Sequence, residues 1–258
     1  MRIDVYFTPD SLSQKKIEGR QAVIIDALRA SSTIVTALAN GSRAIIPVAE
    51  TAEAVEVRSK LGPENVLLGG EHEGIKIENF DLGNSPLEYT KQVIDGKVIA
   101  LRTTNGTRPF TMFRYNQPVR VGAFLNLSAT VKQLCSNGSD LALICAGNNG
   151  SFSLEDTLAA GAIIDGLADS LVCDIELNDS AKLAALHYNA NRNRLLETIK
   201  ESEHGKRLTG LGFSEDIVFI AQTDRFDISP RFEGGQIFLS DPEDPSTEDT
   251  QRILGLEL

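Results

Sequence analysis

The sequence is poor in cysteine and histidine, with three residues of each type in 258, and it has no long hydrophobic run. Cys135, Cys145 and Cys173 are odd in number and lack the spacing of a metal site, which is typical of a protein from a reducing compartment. No apolar run reaches the length of a membrane span, and the N-terminus lacks the pattern of a signal peptide. We therefore expect a soluble cytoplasmic protein that does not bind membranes.

Basic residues are also few, with 25 Lys and Arg against 36 Asp and Glu, a net charge of −11 and a pI of about 4.8. No basic stripe interrupts this acidic balance, so binding to nucleic acid is excluded as the main function. Hydrophobic residues make up 41% of the chain. This length and composition predict a packed core in one large domain or two small ones.

Several common catalytic motifs are absent. There is no GxGxxG, no GxxxxGK[ST] and no GxSxG, which excludes the usual dinucleotide site, the P-loop and the serine hydrolase elbow. The strand that ends at Asp26 resembles the start of a haloacid-dehalogenase phosphatase. That family needs a second aspartate two residues later, where this chain has Leu28. We therefore discount that assignment.

The stretch from residue 22 to 35 organises the rest of the interpretation. Residues 22–26 read as a buried strand that ends in Asp26, and Ser31 and Ser32 then open a helix that stops at residues 40–41. Backbone N–H groups at a helix start bind anions, whereas a carboxylate binds a cation. A site that binds a phosphate ester together with a divalent metal needs both kinds of group. Simple helix capping by the hydroxyls and a turn role for Asp26 remain open.

A second stretch has the same construction. Residues 98–102 read as a strand that runs into Leu101-Arg102, and residues 27–31 align with residues 100–104 without gaps. The following residues 103–107, Thr-Thr-Asn-Gly-Thr, are dense in small donors that allow close approach to an oxyanion. An ordinary strand-to-helix turn is the alternative.

Further carboxylates occur at similar places. Glu71 lies in a glycine-rich loop after the short apolar run 66–68, where a solvated turn is the alternative. Ser153 with Asp156 three residues later marks a helix start. Glu155 and Asp156 in its first turn are either a metal-ligand pair or general base, or simple complements of the helix dipole.

Two polar positions near helix ends complete the candidates. Ser85, Pro86 and Glu88 predict a capping box, and Asn84 just before it is a candidate binding residue. Residues 179–202 predict one or two amphipathic helices, and His204 lies in the segment 202–208 that ends the second. A C-terminal cap is its alternative role.

Strands and helices alternate almost throughout the chain. This pattern predicts a three-layer α/β/α fold with mostly parallel sheets and ligands bound beyond the carboxyl ends of the strands. Two closing strands are expected near the end, at residues 218–221 and 236–239. Residues 241–258 are acidic and contain proline, which predicts a solvated tail.

Taken together, the motifs resemble one family, the magnesium-dependent 2-phosphosulfolactate phosphatases. The resemblance runs from residue 1 to about residue 240 and implies an internally duplicated fold, which we divide into α/β subdomains at residues 1–125 and 126–240. It implies hydrolysis of 2-phospho-3-sulfolactate to sulfolactate and phosphate with Mg²⁺. Since the family occurs well beyond organisms that make coenzyme M, another small phosphorylated acid is also open as substrate. The matching segments are 25–33, 69–71, 80–86, 103–107, 145–147 and 152–157, with a weaker one at 202–208.

This resemblance gives roles to named residues. We predict that Asp26, Glu71 and Asp156 bind Mg²⁺, because this ion prefers hard oxygen ligands. The same three residues and His204 are the predicted catalytic residues. A metal-bound water is the preferred nucleophile, ahead of Cys145 in its apolar strand. Arg29 or Arg102 would pair with the sulfonate or carboxylate of the substrate. The other predicted substrate-binding residues are Ser31, Ser32, Asn84, Thr103, Thr104, Asn105 and Gly106.

Two other classes of function remain open. A lyase or isomerase of a small phosphorylated acid would need a similar anion site. A non-enzymatic anion-binding protein would need neither the metal nor so many carboxylates beside anion donors. The assembly is likewise open, with a homodimer as one possibility.

Overall fold

The fold is built on a single mixed β-sheet, seen here in a computed structural model that describes residues 1–111, 119–136, 138–170 and 174–239. Within those residues the sheet has eleven strands. They are β1 Arg2–Tyr6, β2 Gln21–Ile25, β3 Ala44–Val48, β4 Val66–His72, β5 Ile75–Lys76, β6 Val98–Arg102, β7 Val119–Gly122, β8 Leu141–Cys145, β9 Glu176–Leu177, β10 Arg231–Glu233 and β11 Gln236–Phe238.

The strands form two groups of parallel strands joined by an antiparallel hairpin. Their spatial order is β5-β4-β6-β3-β11-β10-β7-β2-β8-β1-β9. In one group β3 and β4 flank β6, and in the other β7, β2, β8 and β1 run side by side, all parallel. The hairpin of β10 and β11 joins β7 to β3 through antiparallel pairs. The strands of each parallel group therefore end at a common edge.

Helices connect most of the strands. They are α1 Gln14–Ile17, α2 Ala30–Ala39, α3 Thr51–Leu61, α4 Lys91–Ile94, α5 Arg108–Thr111, α6 Leu127–Cys135, α7 Leu154–Ser170, α8 Asp179–Asn191, α9 Leu195–Glu201, α10 Glu203–Gly210 and α11 Ser214–Ile220, with 3₁₀ turns at Pro9–Ser11, Pro86–Glu88, Phe124–Asn126 and Arg192–Arg194.

The strand β2 shows how the helices cover both faces of the sheet. Successive strand side chains point to opposite faces, and Val23 belongs to a core cluster with Leu158 of α7, whereas Ile24 belongs to a second cluster with Ile34 of α2. All four residues after Gln21 in this strand are buried, as expected for a parallel strand covered on both sides. The predicted α/β class with a mostly parallel sheet is confirmed.

Three local predictions are wrong. Residues 218–221 belong to α11 and its end, not to a strand, because Ile217 and Ile220 are both buried at helical spacing. A short apolar run does not by itself distinguish a buried strand from a helix. The capping box at residues 85–88 does not form: Ser85 makes no capping hydrogen bond, and its hydroxyl donates instead to Asp216 Oδ1 at 2.6 Å.

The prediction of one or two helices over residues 179–202 is confirmed by α8 and α9, but residues 203–208 begin a further helix and do not end the second one. Ser202 ends α9 and caps α10, where its hydroxyl accepts a hydrogen bond from Gly205 N at 3.0 Å. His204 therefore lies in the first turn of α10 and is not a C-terminal cap. By contrast, the predicted start at Ser153 is confirmed, since Asp156 N donates to Ser153 Oγ at 3.2 Å.

The predicted division into subdomains crosses this sheet. Strand β8 of the second predicted subdomain lies between β1 and β2 of the first. The boundary at residue 125 and the internal duplication remain predictions. The acidic tail and Cys173 lie outside the described residues. Of the helices in the described segments, none is long and apolar enough to cross a membrane.

Candidate active site

The two groups of parallel strands share one polar cleft of about 350 Å³. Its walls come from the ends of β2 and β8 in one group and of β4 and β6 in the other. Because backbone N–H groups and side chains converge at strand ends, this is where ligands are expected in such folds. The lining residues are Asp26, Leu28, Arg29, Glu71, Glu73, Gly74, Asn84, Thr104, Asn105, Asn148, Asn149, His204 and Arg207.

Asp26 follows the last residue of β2 and is 5% exposed. Its Oδ1 accepts a hydrogen bond from Ala30 N at 3.2 Å, at the start of α2. Burial raises the pKa of Asp26 to about 7; His204 and the Ala30 N–H lower it, and the Glu71 and Glu155 carboxylates raise it. Asp26 is therefore a carboxyl group that exchanges its proton near neutral pH, as a catalytic group does.

Glu71 is held rigidly near the end of β4. Its Oε1 accepts from Thr104 N at 2.6 Å, and its Oε2 accepts from Gly74 N at 2.6 Å and from Thr104 Oγ1 at 3.0 Å. The solvated-turn alternative fails, because Glu71 is 6% exposed. This carboxylate joins the β4–β5 turn to the loop after β6, and three of its about four acceptor sites are used, which leaves one on Oε1.

Glu155 and His204 form a close pair of a carboxylate and an imidazole, of which His204 lines the cleft. His204 Nδ1 lies 3.3 Å from Glu155 Oε1, and the exposed fractions of the two side chains are 15% and 2%. Burial raises the pKa of Glu155, but the hydrogen bond and charge of His204 outweigh it, so the pKa is lowered. Nδ1 therefore faces the Glu155 carboxylate, and Nε2 is the ring nitrogen that does not.

Asp156 lies behind the cleft and does not line it. Its Oδ1 accepts from Ala27 N at 2.8 Å and its Oδ2 from Gly147 N at 3.1 Å, so it joins the loops after β2 and β8. Burial, followed by the Asp26 and Glu155 carboxylates, raises the pKa of Asp156 well above its ordinary value. The structure thus gives Asp156 contacts that position the two loops.

The predicted hydroxyl residues of α2 are bonded to nearby backbone. Ser31 Oγ accepts from Asp26 N at 2.9 Å, and Ser32 Oγ donates to the carbonyl of Ala27 at 2.8 Å. Neither serine lines the cleft. Neither contact is a helix cap, because neither hydroxyl accepts from an N–H group of α2. A role of the two serines in binding substrate remains a prediction.

The loop after β6 contributes residues that line the cleft directly. Thr104 and Asn105 line the cleft, and Asn105 Oδ1 accepts from Asn149 N at 3.0 Å. A Cβ atom at Gly106 would clash with Asp26 Oδ2, so only glycine allows this loop to approach the carboxylate so closely. Thr103 is buried and faces away, where its Oγ1 accepts from Thr107 N at 3.0 Å.

The two predicted arginines differ in position. Arg29 lines the cleft, but it is 3% exposed and its Nη1 forms an ion pair with Asp216 Oδ2 at 2.7 Å. Its guanidinium also stacks on Phe213, with 4.2 Å between the guanidinium carbon and the ring centroid. Arg102 does not line the cleft and donates to the Glu71 carbonyl at 2.9 Å.

The oxygen atoms at the cleft suit a hard cation. Asn84 Oδ1 and Asn148 Oδ1 are buried acceptors without a hydrogen-bond partner in the described segments, and both residues line the cleft beside Asp26 and Glu71. Carboxylate and amide oxygens are the protein ligands that Mg²⁺ takes. A ready cluster of three or more His, Cys, Asp or Glu side chains is absent within the described residues. The donor set therefore fits Mg²⁺ through a mixed group of carboxylate and amide oxygens.

Sequence reasoning missed several residues of the cleft. Asn148 and Asn149 follow the apolar strand β8, so their place at a strand end was an available signal. Arg207 follows His204 by three residues in one helix, and such residues share a face. Asp216, just before the segment 218–221 that was predicted as strand, had no signal because only the tertiary structure brings it to Arg29.

A buried acidic cluster with a fixed histidine, at the carboxyl ends of parallel strands, defines the class of protein as an α/β enzyme with a hydrolytic type of site. The comparisons agree. Residues 6–235 match the family described as 2-phosphosulpholactate phosphatase. The chain therefore belongs to the 2-phosphosulfolactate phosphatase family, which places it among the phosphoric monoester hydrolases.

Curated relatives support this membership over almost the full chain. A protein of Thermotoga maritima is 44% identical over 93% of this chain and 99% of its own length. Proteins of Caldanaerobacter subterraneus subsp. tengcongensis and Clostridium tetani are 39% and 38% identical, over 91% and 92% of this chain and 97% and 100% of their own lengths. Each carries the name "probable 2-phosphosulfolactate phosphatase". The family resemblance drawn from the motifs is confirmed.

Proposed function

We propose that the protein is a magnesium-dependent phosphatase that hydrolyses 2-phospho-3-sulfolactate, or a similar small phosphorylated acid, to the hydroxy acid and phosphate. The observation that carries this proposal is the cleft itself, which is lined by Asp26, Glu71 and His204 together with the loop after β6. The names of the relatives support the substrate class.

The charges of the cleft favour a divalent cation. Asp26, Glu71 and Glu73 line it, and Glu155 lies directly behind His204. A substrate with a phosphate and two acid groups would meet repulsion there unless a cation intervened. When bound, Mg²⁺ would be held by Asp26 and Glu71 with the free amide oxygens and would neutralise charge on the transferring phosphoryl group.

The residues of the chain supply the remaining chemistry. Asn105 would bind phosphoryl oxygens through its side-chain N–H groups, since it lies on the loop that approaches Asp26 and only its Oδ1 is used by Asn149. The donors of Thr104 are both directed to Glu71, so this residue would act by holding that carboxylate.

Asp26 would orient the attacking water by accepting a hydrogen bond from it, and the proton that this water loses would pass to solvent. His204 would give a proton to the leaving oxygen from Nε2 while Glu155 stabilises the charged ring.

A covalent route through Cys145 is not favoured by its surroundings. The residue is fully buried in β8 and does not line the cleft. Burial, followed by the Asp156 and Glu155 carboxylates, raises the pKa of the Cys145 thiol well above its ordinary value. The thiolate needed for attack would thus be scarce at neutral pH.

The decisive test measures phosphate release from a panel of phosphorylated acids with Mg²⁺, with EDTA, and with Mg²⁺ restored. We expect hydrolysis of 2-phospho-3-sulfolactate that EDTA abolishes reversibly. Full activity in metal-free buffer would remove the magnesium proposal but leave the phosphatase assignment. Conversion of the substrate without release of phosphate would favour the lyase or isomerase alternative, and binding without conversion would favour an anion-binding protein.

A further inference from the structure

Three arginines lie at or near the cleft, and of these only Arg207 both lines the cleft and forms no ion pair within the described residues. Arg102 lies outside it and donates to backbone. Arg29 lines the cleft, but its charge is compensated by Asp216 at 2.7 Å. Arg207 lines the cleft, and within the described part of the chain it forms no ion pair with a carboxylate.

Arg207 is placed by α10 beside the residues that would carry out the reaction. It follows His204 by three residues, and side chains at this spacing are neighbours on one helix face, with ~5–6 Å between Cβ atoms. Arg207 is partly buried, and its one hydrogen bond within the described residues runs from Nη2 to the Glu73 carbonyl at 2.7 Å. Its other guanidinium donors are thus available.

The contact to Glu73 holds the guanidinium in place. Glu73 and Gly74 form the two-residue turn between β4 and β5, with φ angles of 53° and 87°. The turn is tied down because Gly74 N donates to Glu71 Oε2 at 2.6 Å and Glu73 N donates to Thr104 Oγ1 at 3.2 Å. Arg207 is therefore preorganised against a rigid wall of the cleft, which lowers the entropic cost of binding an anion.

We propose that Arg207 is the specificity-determining residue that binds an acid group of the substrate, the sulfonate or the carboxylate, beside the phosphoester. This inference rests on the proposed phosphatase function. A guanidinium forms paired hydrogen bonds with either group, so the shared chemistry is an oxyanion with at least two acceptor oxygens. Arg207 takes the role that the sequence had given to Arg29 or Arg102.

The test compares Arg207→Gln with a matched variant, Lys206→Gln. Lys206 is the exposed neighbour on α10 and does not line the cleft, so both changes remove one positive charge from the same helix. For 2-phospho-3-sulfolactate we expect Arg207→Gln to raise KM about 10- to 100-fold with kcat changed only a few-fold, as for loss of a charged hydrogen bond. Lys206→Gln should leave both constants nearly unchanged, and Arg207→Lys should recover part of the loss.

Substrate analogues identify the group that Arg207 binds. 2-Phospholactate lacks the sulfonate, and the phosphate ester of 2-hydroxypropane-1-sulfonate lacks the carboxylate. The analogue on which Arg207→Gln has no effect lacks the group bound by Arg207. Equal losses on both analogues and on p-nitrophenyl phosphate, which lacks both groups, would overturn the proposal, because the residue would then serve the phosphate or the fold.

Failure of the proposed function would give a different result. If the wild-type protein hydrolysed none of these esters, the phosphatase assignment would fail, and calorimetric titration with 3-sulfolactate would still test Arg207. Binding to wild type that is weakened in Arg207→Gln but not in Lys206→Gln would support the anion site. Equal binding by all three proteins would overturn it.

Discussion

The segments after β2 and β6 have aligned sequences at residues 27–31 and 100–104, but they lie at different distances from their strand ends. β2 ends at Ile25, so Arg29 lies in the connection and is the N-cap of α2. β6 continues to Arg102, which still pairs with Val48 and Gly70 of the neighbouring strands. The same Leu-Arg pair therefore leads into the cleft in one segment and remains within the sheet in the other.

This difference determines what each residue does. The first position after the strand is Asp26 in one segment and Thr103 in the other. Asp26 points into the cleft with a pKa of about 7, whereas Thr103 faces away and accepts from Thr107 N. Local sequence similarity thus does not fix a function; the end of the strand decides which residue reaches the cleft.

The largest effect is expected from Arg29→Met, measured against Arg102→Met. Removing Arg29 leaves Asp216, 3% exposed, as an unpaired buried charge, and loss of one partner of such a pair costs about 3–5 kcal/mol of unfolding free energy. Arg102→Met removes a half-buried bond to a backbone carbonyl, which costs about 1–3 kcal/mol. Denaturant unfolding of both variants gives the two values.

A double variant separates the ion pair from general packing. Adding Asp216→Asn to Arg29→Met removes the unpaired charge and should recover part of the lost stability. If both single arginine variants were equally stable, the proposed difference between the two segments would be wrong.

The second comparison sets Asp26→Asn against Thr103→Val. Asp26→Asn preserves size but removes the charge, and we expect at least about a 100-fold loss of kcat with the fold intact, comparable to loss of one preorganised electrostatic contact. Raised Mg²⁺ should restore part of that loss if Asp26 is a ligand. Thr103→Val removes a hydroxyl that accepts from backbone, so its effect should fall mainly on stability. Steady-state kinetics over a magnesium titration measures both; normal kcat with a lowered Tm in Asp26→Asn would remove Asp26 from the site.

The smallest effect concerns the pH dependence of stability in metal-free buffer. The pKa of Asp26 is raised from 3.8 to about 7 in the folded protein, so its stabilising contribution is present below pH 3.8 and is lost as pH rises through 7. Asp26→Asn should therefore have a higher Tm than wild type at pH 8, by a few degrees, and the difference should shrink toward pH 4. Thr103→Val provides the control, since its Tm difference should not depend on pH. A pH-independent difference for Asp26→Asn would contradict the raised pKa.

The sequence by itself determined the α/β class, the family and the positions where polar residues follow apolar strands. Asp26 and Glu71 were found this way because a strand that ends in a carboxylate is a local signal that tertiary contacts do not erase. The start of α7 at Ser153 was found for the same reason, since a cap bonds within its own first turn.

Only the tertiary structure decided which of these residues share the cleft. Asp216 reaches Arg29 from 187 residues away, and this ion pair removes Arg29 as the free cation. Asp156 fits the sequence pattern of a ligand, but its carboxylate is bonded to the N–H groups of Ala27 and Gly147. Arg207 gains its place from the β4–β5 turn that accepts its hydrogen bond. The local sequence decides which chemical group a side chain carries. The charge of that group is available to a ligand only where no residue from a distant part of the chain pairs with it.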